Sequence, residues 1–471
     1  MGKKIVLQSI DSPLRDFEWR LFVAWKLSQV GMESIIGSKS AIRKIHSASR
    51  NCIFLGRLDT NTGRTKHDKL YLKKMGENNT ALFFLHDEGG LYLSRDYAEA
   101  VARIYPTEIY DLPLTKAIFF WGDKQKNIYQ ERVSSENRLY VTGFPRFDLY
   151  NKKYSSIDDA QVASIKKQHG NFVLICGRFA AANGVTDDPT ALSERIFNIH
   201  IESGSYGDDK KIILDSMFES WSKVAYEFSF FIPGIAKLAM SFPDLKFVVR
   251  PHPAEKQSFY NEAFSHFSNV TVSKSGDVRS FIRASDLVIH SECTTSIEAE
   301  LCEKPNINFR PAAGMPEFMP YEVSGVNEVG VVVKTHNELI DGVRRFLEND
   351  FVYKSSHNIG DLDAYLANVS PSNEASDLIV EKLVDFSEED FLDSVINKRQ
   401  LYQGASLDFL KDVLRPVVRG VKQTKKMSGT VQGDSKNYTF SDDAIRSLWR
   451  SLGGKDKCLK IKNGLVYTYP Q

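Results

Sequence analysis

The sequence predicts an α/β chain built from two doubly wound, Rossmann-like halves. Three observations lead there. Short strand-like runs alternate with helical periods over residues 1–150 and again over residues 172–348. Such alternation signals βαβ units. The strand-like runs are apolar throughout, as parallel strands covered on both faces are. The chain, 471 residues long, can bury two or three cores.

The elements follow in order. Lys4–Ile10 reads as a strand. From Leu14 to Val30, Phe17, Leu21 and Trp25 recur at four-residue spacing, which predicts an amphipathic helix. Ile35-Ile36 is a short strand after the Gly31 stop, Ala41–Ser49 a helix and Cys52–Leu55 a strand. Helices are expected over His67–Met75 and Arg95–Ile104, with strands at Ala81–Leu85, Ala117–Trp121 and Leu139–Thr142. A polar linker with a helix covers residues 151–170. The alternation then restarts with strands Phe172–Cys176, Lys246–Val249, Val270–Val272, Leu287–Ile289, Ile307–Phe309 and Val331–Val333. Between them lie helices at Ile212–Phe242, broken at Pro233, and at Val278–Ala284, Ser296–Cys302 and His336–Glu348.

Beyond Asp350 the strands are expected to stop. Helical segments run on to Val421, carrying an acidic cluster (Glu388, Glu389, Asp390, Asp393) and a basic one (Arg415, Arg419, Lys422, Lys425, Lys426). The expected division is 1–150, 151–350, a helical extension 351–426, and a linker and tail 427–471 with no assigned role.

Composition excludes several classes. The hydrophobic fraction is 42% and the charged fraction 26%, as in globular proteins. Lys+Arg (61) balance Asp+Glu (60), so no global field recruits nucleic acid, and none is expected as a partner. The N-terminal apolar run is too short for a signal peptide. Phe228–Phe242 is interrupted by Pro233 and Lys237, so no membrane span is expected. Cys52, Cys176, Cys293, Cys302 and Cys458 are scattered, and read as reduced thiols of a cytoplasmic protein with no zinc site. The amphipathic, basic stretch Leu407–Val421 is either a helix packed on the core or a peripheral contact with the inner membrane.

Ligands of open α/β sheets bind beyond the carboxyl ends of strands, so strand ends hold the candidates. His86-Asp87-Glu88-Gly89-Gly90 sets two carboxylates beside two glycines. One of them can act as general base or nucleophile, and the glycines allow close approach. The plainer alternative is a turn in which Asp87 caps a helix. Arg250-Pro251-His252-Pro253-Ala254-Glu255 is a stiff loop that fixes an imidazole beside an Arg, suited to a phosphate, with Glu255 open to ribose hydroxyls. Its alternative is a rigid structural loop. In His290-Ser291-Glu292-Cys293-Thr294-Thr295-Ser296-Ile297-Glu298, hydroxyls gather at a helix N-terminus, an anion site or an ordinary cap. Glu298 faces the ligand or serves structure. Gly143-Phe144-Pro145-Arg146-Phe147-Asp148 reads as a domain hinge with an Arg146–Asp148 interaction. Weaker candidates are Asp11 with Arg15 after the first strand, and Arg178 after Cys176-Gly177. P-loop and dinucleotide fingerprints are absent from the sequence.

Together these segments resemble the bacterial surface carbohydrate biosynthesis proteins, which have the glycosyltransferase B fold. The resemblance rests on Phe144-Pro145-Arg146-Phe147-Asp148, on Arg250-Pro251-His252-Pro253, and on His290–Ala299 followed by Lys304-Pro305. The early Arg15 helix and His86–Gly90 also fit, and coverage is roughly residues 1–375. It implies two Rossmann-like domains facing a cleft, with a nucleotide sugar held mainly by the second. The His-Pro motif is similar to that of sialyl- and Kdo-transferases, which use CMP-activated donors. Carried across, Arg250 and His252 bind the donor phosphate, assisted by Ser291, Thr294, Thr295 and Ser296. Asp87 or Glu88 is the acid/base or nucleophile. Asp11, Arg15, His86, Gly89 and Gly90 line the acceptor side.

The expected activity is transfer of a sugar, from a CMP-activated donor such as CMP-Kdo, to a glycan or lipid-linked acceptor. No cofactor or metal is expected, because a CMP-sugar carries a single phosphate. The alternatives are a CDP-polyol phosphotransferase of the teichoic-acid type, a UDP-sugar epimerase, and a non-catalytic scaffold of polysaccharide assembly.

Overall fold

The computed structural model describes residues 3–10, 13–58, 66–86, 108–130, 133–134, 138–184, 210–322, 326, 329–348, 362, 364–370, 372–388, 391–396, 440–462 and 464–471. The chain forms two compact units. One comprises residues 1–90, 105–149 and 366–471, the other residues 91–104 and 150–365. Each is a Rossmann-like α/β unit.

The first unit holds parallel strands β1 (Ile5–Ile10), β2 (Glu33–Ser38), β3 (Ile53–Gly56), β4 (Ala81–Leu85), β5 (Thr115–Phe120) and β6 (Leu139–Val141). They lie in the order β2-β1-β3-β4-β5-β6. Every residue of β4 is buried, and so are Ile5, Val6 and Leu7 of β1, as the unbroken apolar runs predict. Helix α1 (Pro13–Gln29) packs Phe17, Leu21 and Ala24 toward Ile36 of β2. Helices α2 (Lys39–Ser47) and α3 (Lys66–Glu77) follow β2 and β3.

The second unit holds α4 (Asp159–His169) and α5 (Lys210–Ser241). Its strands are β7 (Phe172–Cys176), β8 (Lys246–Arg250), β9 (Val270–Val272), β10 (Leu287–His290), β11 (Asn306–Phe309) and β12 (Val331–Val333). All pairings are parallel, in the order β9-β8-β7-β10-β11-β12. Helices α6 (Val278–Ala284), α7 (Thr295–Leu301) and α8 (His336–Leu347) complete the layers. The bidentate pair of Arg279 with Asp158, at 2.7 and 2.6 Å, ties α6 to the start of α4.

The break expected at Pro233 does not occur, and α5 runs through it. Proline removes one helical N–H. Tertiary contacts offset the loss. Gly234 brings the helix against Phe309, Leu339 and His336, and His336 Nε2 donates to the Phe230 carbonyl at 2.8 Å.

The expectation that strands stop after Asp350 is also corrected. Val369–Ser370 pairs with Asn373–Glu374, and Val395–Ile396 pairs with Ser49–Arg50. The C-terminal residues then form α9 (Ala375–Glu388), α10 (Asp442–Ser451) and the hairpin β13 (Leu459–Lys462)/β14 (Leu465–Thr468). Strand β14 pairs antiparallel with β2 and extends the first sheet. Ile445, Trp449, Leu459 and Val466 bury against Phe17 and Ile36. These residues of the tail without an assigned role are thus part of the first core. The expected helix Arg95–Ile104 and the basic stretch Leu407–Val421 lie outside the described residues.

The Gly143–Asp148 segment is the seat of the returning chain. Asp148 is buried and accepts from the amides of Ala375 (3.1 Å) and Ser376 (2.8 Å), so its carboxylate caps α9. Two free N–H groups at a helix start attract a carboxylate. Lys26 of α1 pairs with Glu374 at 2.5 Å beside the same helix start. Gly143 has φ +78°, and a Cβ there would stand 2.1 Å from the Ala367 carbonyl oxygen. Gly143→Ala is therefore expected to cost at least about 1–2 kcal/mol. Thermal denaturation would read this as a lowered midpoint.

No helix among the described residues is long and apolar enough to cross a membrane.

Candidate functional site

The strand order of the second unit defines its binding crevice. From β7 the connections run outward to β8 and β9, and from β10 the other way to β11 and β12. Such a reversal opens a crevice at the carboxyl ends of the two central strands. Cys176 and His290 end these strands as register partners. Just beyond them stand Arg178 and Glu292.

Glu292 is the centre of the site. Its carboxylate is fully buried, and Oε2 receives both Arg178 Nη2 and Lys223 Nζ. Arg310 Nη2 stands 3.3 Å from Oε1 and 3.0 Å from Glu322. Lys223 also faces Glu227 at 3.6 Å. Burial, with Glu292 as a nearby like charge, raises the Glu227 carboxyl pKa above its ordinary value. The Glu292 backbone has φ +43°, a left-handed geometry rare for a residue with a Cβ. Its N–H donates to Asn308 Oδ1 at 2.9 Å, which helps to hold that turn.

Around this carboxylate lie buried polar atoms with no hydrogen-bond partner among the described residues. They are Ser291 Oγ, Ser296 Oγ, Asn308 Nδ2, Arg178 Nε and Arg310 Nε. Buried donors without partners are costly unless a ligand or water satisfies them. The three cations are matched by the carboxylates of Glu292, Glu227 and Glu322, so the groups left to meet a ligand are the two hydroxyls and the partly exposed Arg178.

The remaining candidates of this unit are placed differently. Thr294 precedes α7 without a side-chain capping bond, and Thr295 Oγ1 lies 3.2 Å from Cys293 Sγ. Glu298 is buried in α7. His290 is buried, with Nε2 3.2 Å from Asn306 Oδ1, and burial lowers its pKa to about 4, so the ring is neutral.

Two candidates make contacts to the backbone around them. Arg250, read as a phosphate ligand, donates to the carbonyls of Ser275 and Gly276 and lies over the Phe281 ring. Burial lowers its pKa. Two of its five N–H donors thus anchor the loop at Ser275 and Gly276. Glu255, read as a ribose acceptor, is buried. It accepts from Phe179 N (2.8 Å), His252 N (3.3 Å) and the Tyr260 hydroxyl. It ties the proline loop to the end of β7. His252 itself is exposed, and its Nδ1 accepts from Ala254 N at 3.2 Å.

In the first unit, Asp11, Asp87, Glu88, Gly89 and Gly90 lie outside the described residues, as does the Arg15 side chain. His86, expected on the acceptor side, is an interior residue. It packs among Phe84, Tyr110, Phe120 and Tyr129, and burial lowers its pKa to about 3.

Sequence reasoning missed Lys223, Glu227, Arg310 and Glu322. Arg310 directly follows β11, so the strand-end rule that selected Arg178 selects it as well. Lys223 and Glu227 are charges four residues apart on a largely apolar helix, a spacing that places them on one face. Among the described residues, no group of three or more His, Cys, Asp or Glu is arranged to hold a metal ion.

No protein-family model and no curated protein matches the chain. Solved structures similar in chain path include the UDP-GlcNAc 2-epimerase of Neisseria meningitidis bound to UDP-GlcNAc. It is 15% identical, with 81% of this chain and 100% of that chain covered, at a TM-score of 0.44. The UDP-GlcNAc 2-epimerase of Methanocaldococcus jannaschii is 13% identical, with 82% and 100% covered, at 0.47. The wall teichoic acid polymerase TagF is 13% identical, with 82% and 90% covered, at 0.46.

Proposed function

We propose that the chain is a glycosyltransferase of bacterial surface polysaccharide synthesis, and that its second unit holds the phosphate of a nucleotide-activated sugar. The observation that supports this reading is the pair of buried, unsatisfied Ser291 and Ser296 hydroxyls together with the partly exposed Arg178, whose Nε has no partner among the described residues. It stands where open α/β sheets take ligands.

In this reading Arg178, Ser291, Thr294 and Ser296 bind the donor phosphate. His252, held at the tip of its proline loop, donates to the same group. Asp87 or Glu88 serves as acid/base toward the acceptor hydroxyl. The donor is a CMP-activated acidic sugar such as CMP-Kdo, and the acceptor a glycan or lipid-linked glycan.

Calorimetric titration of the full chain with CMP is expected to give saturable binding. It should weaken at least tenfold in His252→Ala, an exposed position whose loss leaves the fold intact. Absence of affinity for CMP, CDP and UDP alike would sink the proposal. A phosphodiester product in ³¹P NMR would replace it with polyol-phosphate transfer, and sugar turnover without acceptor with epimerisation.

A further inference from the structure

One turn along α5 from Lys223, Glu227 sets a second buried carboxyl against the cluster, 1% exposed. Its Oε1 accepts no hydrogen bond from the described residues. The cation within ion-pair reach is Lys223, at 3.6 Å, and that ammonium is in tighter contact with Glu292 Oε2. Glu292 has Arg178 and Arg310 besides. Two carboxyls thus compete for one ammonium, and the better-partnered one holds it.

An ionised carboxylate is an acceptor only. Buried with an unsatisfied oxygen and no cation of its own, it is costly, and binding a proton removes that cost. The charged groups that act on Glu227 come from four elements. Lys223 belongs to its own helix, Arg178 follows β7, Glu292 follows β10 and Arg310 follows β11. Burial is the largest influence and raises the Glu227 pKa; Glu292 adds to it, and the three cations oppose it only in part.

The charge of the crevice then turns on one proton. Arg178, Lys223 and Arg310 stand against Glu292, Glu322 and Glu227. With Glu227 neutral the group keeps one positive charge, and with Glu227 ionised it keeps none.

We propose that Glu227 is a proton-operated positioning residue of this crevice. As a neutral acid it leaves Lys223 on Glu292, which holds the partly exposed Arg178 in place. As an anion it draws Lys223 off and cancels the surplus charge. That the ligand affected is a donor phosphate rests on the transferase reading above; the proton switch itself does not. A carboxyl with a raised native pKa gives stability that is complete at low pH and is lost as pH rises through the native value.

The test compares the full chain with Glu227→Gln, which fixes the neutral form in the same shape. CMP affinity is measured by calorimetry in both, from mildly acid to mildly alkaline pH, and read as their ratio, so that titration of CMP itself cancels. The affinities are expected to agree at acid pH and to diverge by at least about threefold, in favour of Glu227→Gln, as pH rises. In urea denaturation without ligand the two midpoints should coincide at acid pH and separate at alkaline pH, with wild type the lower. A difference in midpoint that does not change with pH overturns the switch. Separating midpoints with a constant affinity ratio overturn the positioning role. Absence of CMP binding in both chains at every pH discards the transferase reading, and the midpoints then decide the switch alone.

Discussion

Glu292→Ala is expected to lower the free energy of unfolding by about 3–5 kcal/mol, the cost of stripping one partner from a buried ion cluster. The carboxylate is wholly buried and engages Arg178, Lys223 and Arg310. Without it, Lys223 keeps only Glu227 at 3.6 Å, and Arg310 only Glu322 at 3.0 Å. The surplus positive charge then sits in the interior with little water to solvate it. Urea denaturation would show this as a lowered midpoint at constant slope. A second substitution separates charge from backbone. Glu292 has φ +43°, so Glu292→Gly loses the same charge but relieves the left-handed strain. It should be more stable than Glu292→Ala by about 1 kcal/mol. Equal midpoints for wild type and Glu292→Ala would remove the cluster from the account of how this crevice is held together.

The second large effect is a pH dependence set by Asp148. Burial is the main cause that raises its pKa from 3.8 to about 7, against the hydrogen bond from the Ser376 amide that lowers it. A carboxyl with a native pKa above its unfolded value binds its proton more tightly when folded. Its stabilising contribution is therefore complete below about pH 4 and is lost as pH rises through 7. The shift from 3.8 to about 7 corresponds to at most about 4 kcal/mol. Asp148→Asn should flatten the fall in stability between pH 4 and pH 7, since its amide oxygen can still accept from α9. Asp148→Ala should lose the cap as well, about 1–2 kcal/mol at low pH. Parallel profiles for wild type and Asp148→Asn would show that another group titrates.

The two sheets were legible because their strands are continuous apolar runs bounded by polar helices. In Phe172–Cys176, as in Ala81–Leu85, every residue is buried, and no alternation hides the element. The C-terminal hairpin was legible too, although it was not read. Leu459-Lys460-Ile461-Lys462 alternates, and Asn463-Gly464 is a strong two-residue turn signal. Its pairing with β2, more than four hundred residues away, leaves no local mark. One exists at a distance: Gly37, where a Cβ would stand 2.4 Å from Leu465 Cδ2. The site was half legible for a similar reason. Strand-end position selects Arg178, Ser291 and Ser296. Whether a polar side chain there turns to a ligand or to the backbone depends on neighbours in space. For Arg250 and Glu255 those neighbours, Ser275, Gly276 and Phe179, belong to loops that the sequence does not connect to them.

The split composition of the first unit sets the order in which a growing chain can finish its domains. All six strands of the second sheet lie between Phe172 and Val333, so that sheet can close while later residues are still inside the ribosome. The first sheet cannot. Its β2 edge stays open until Leu465–Thr468 emerges. The half translated first is thus the half completed last. Until then an unpaired strand edge, a template for pairing with other chains, awaits its antiparallel partner.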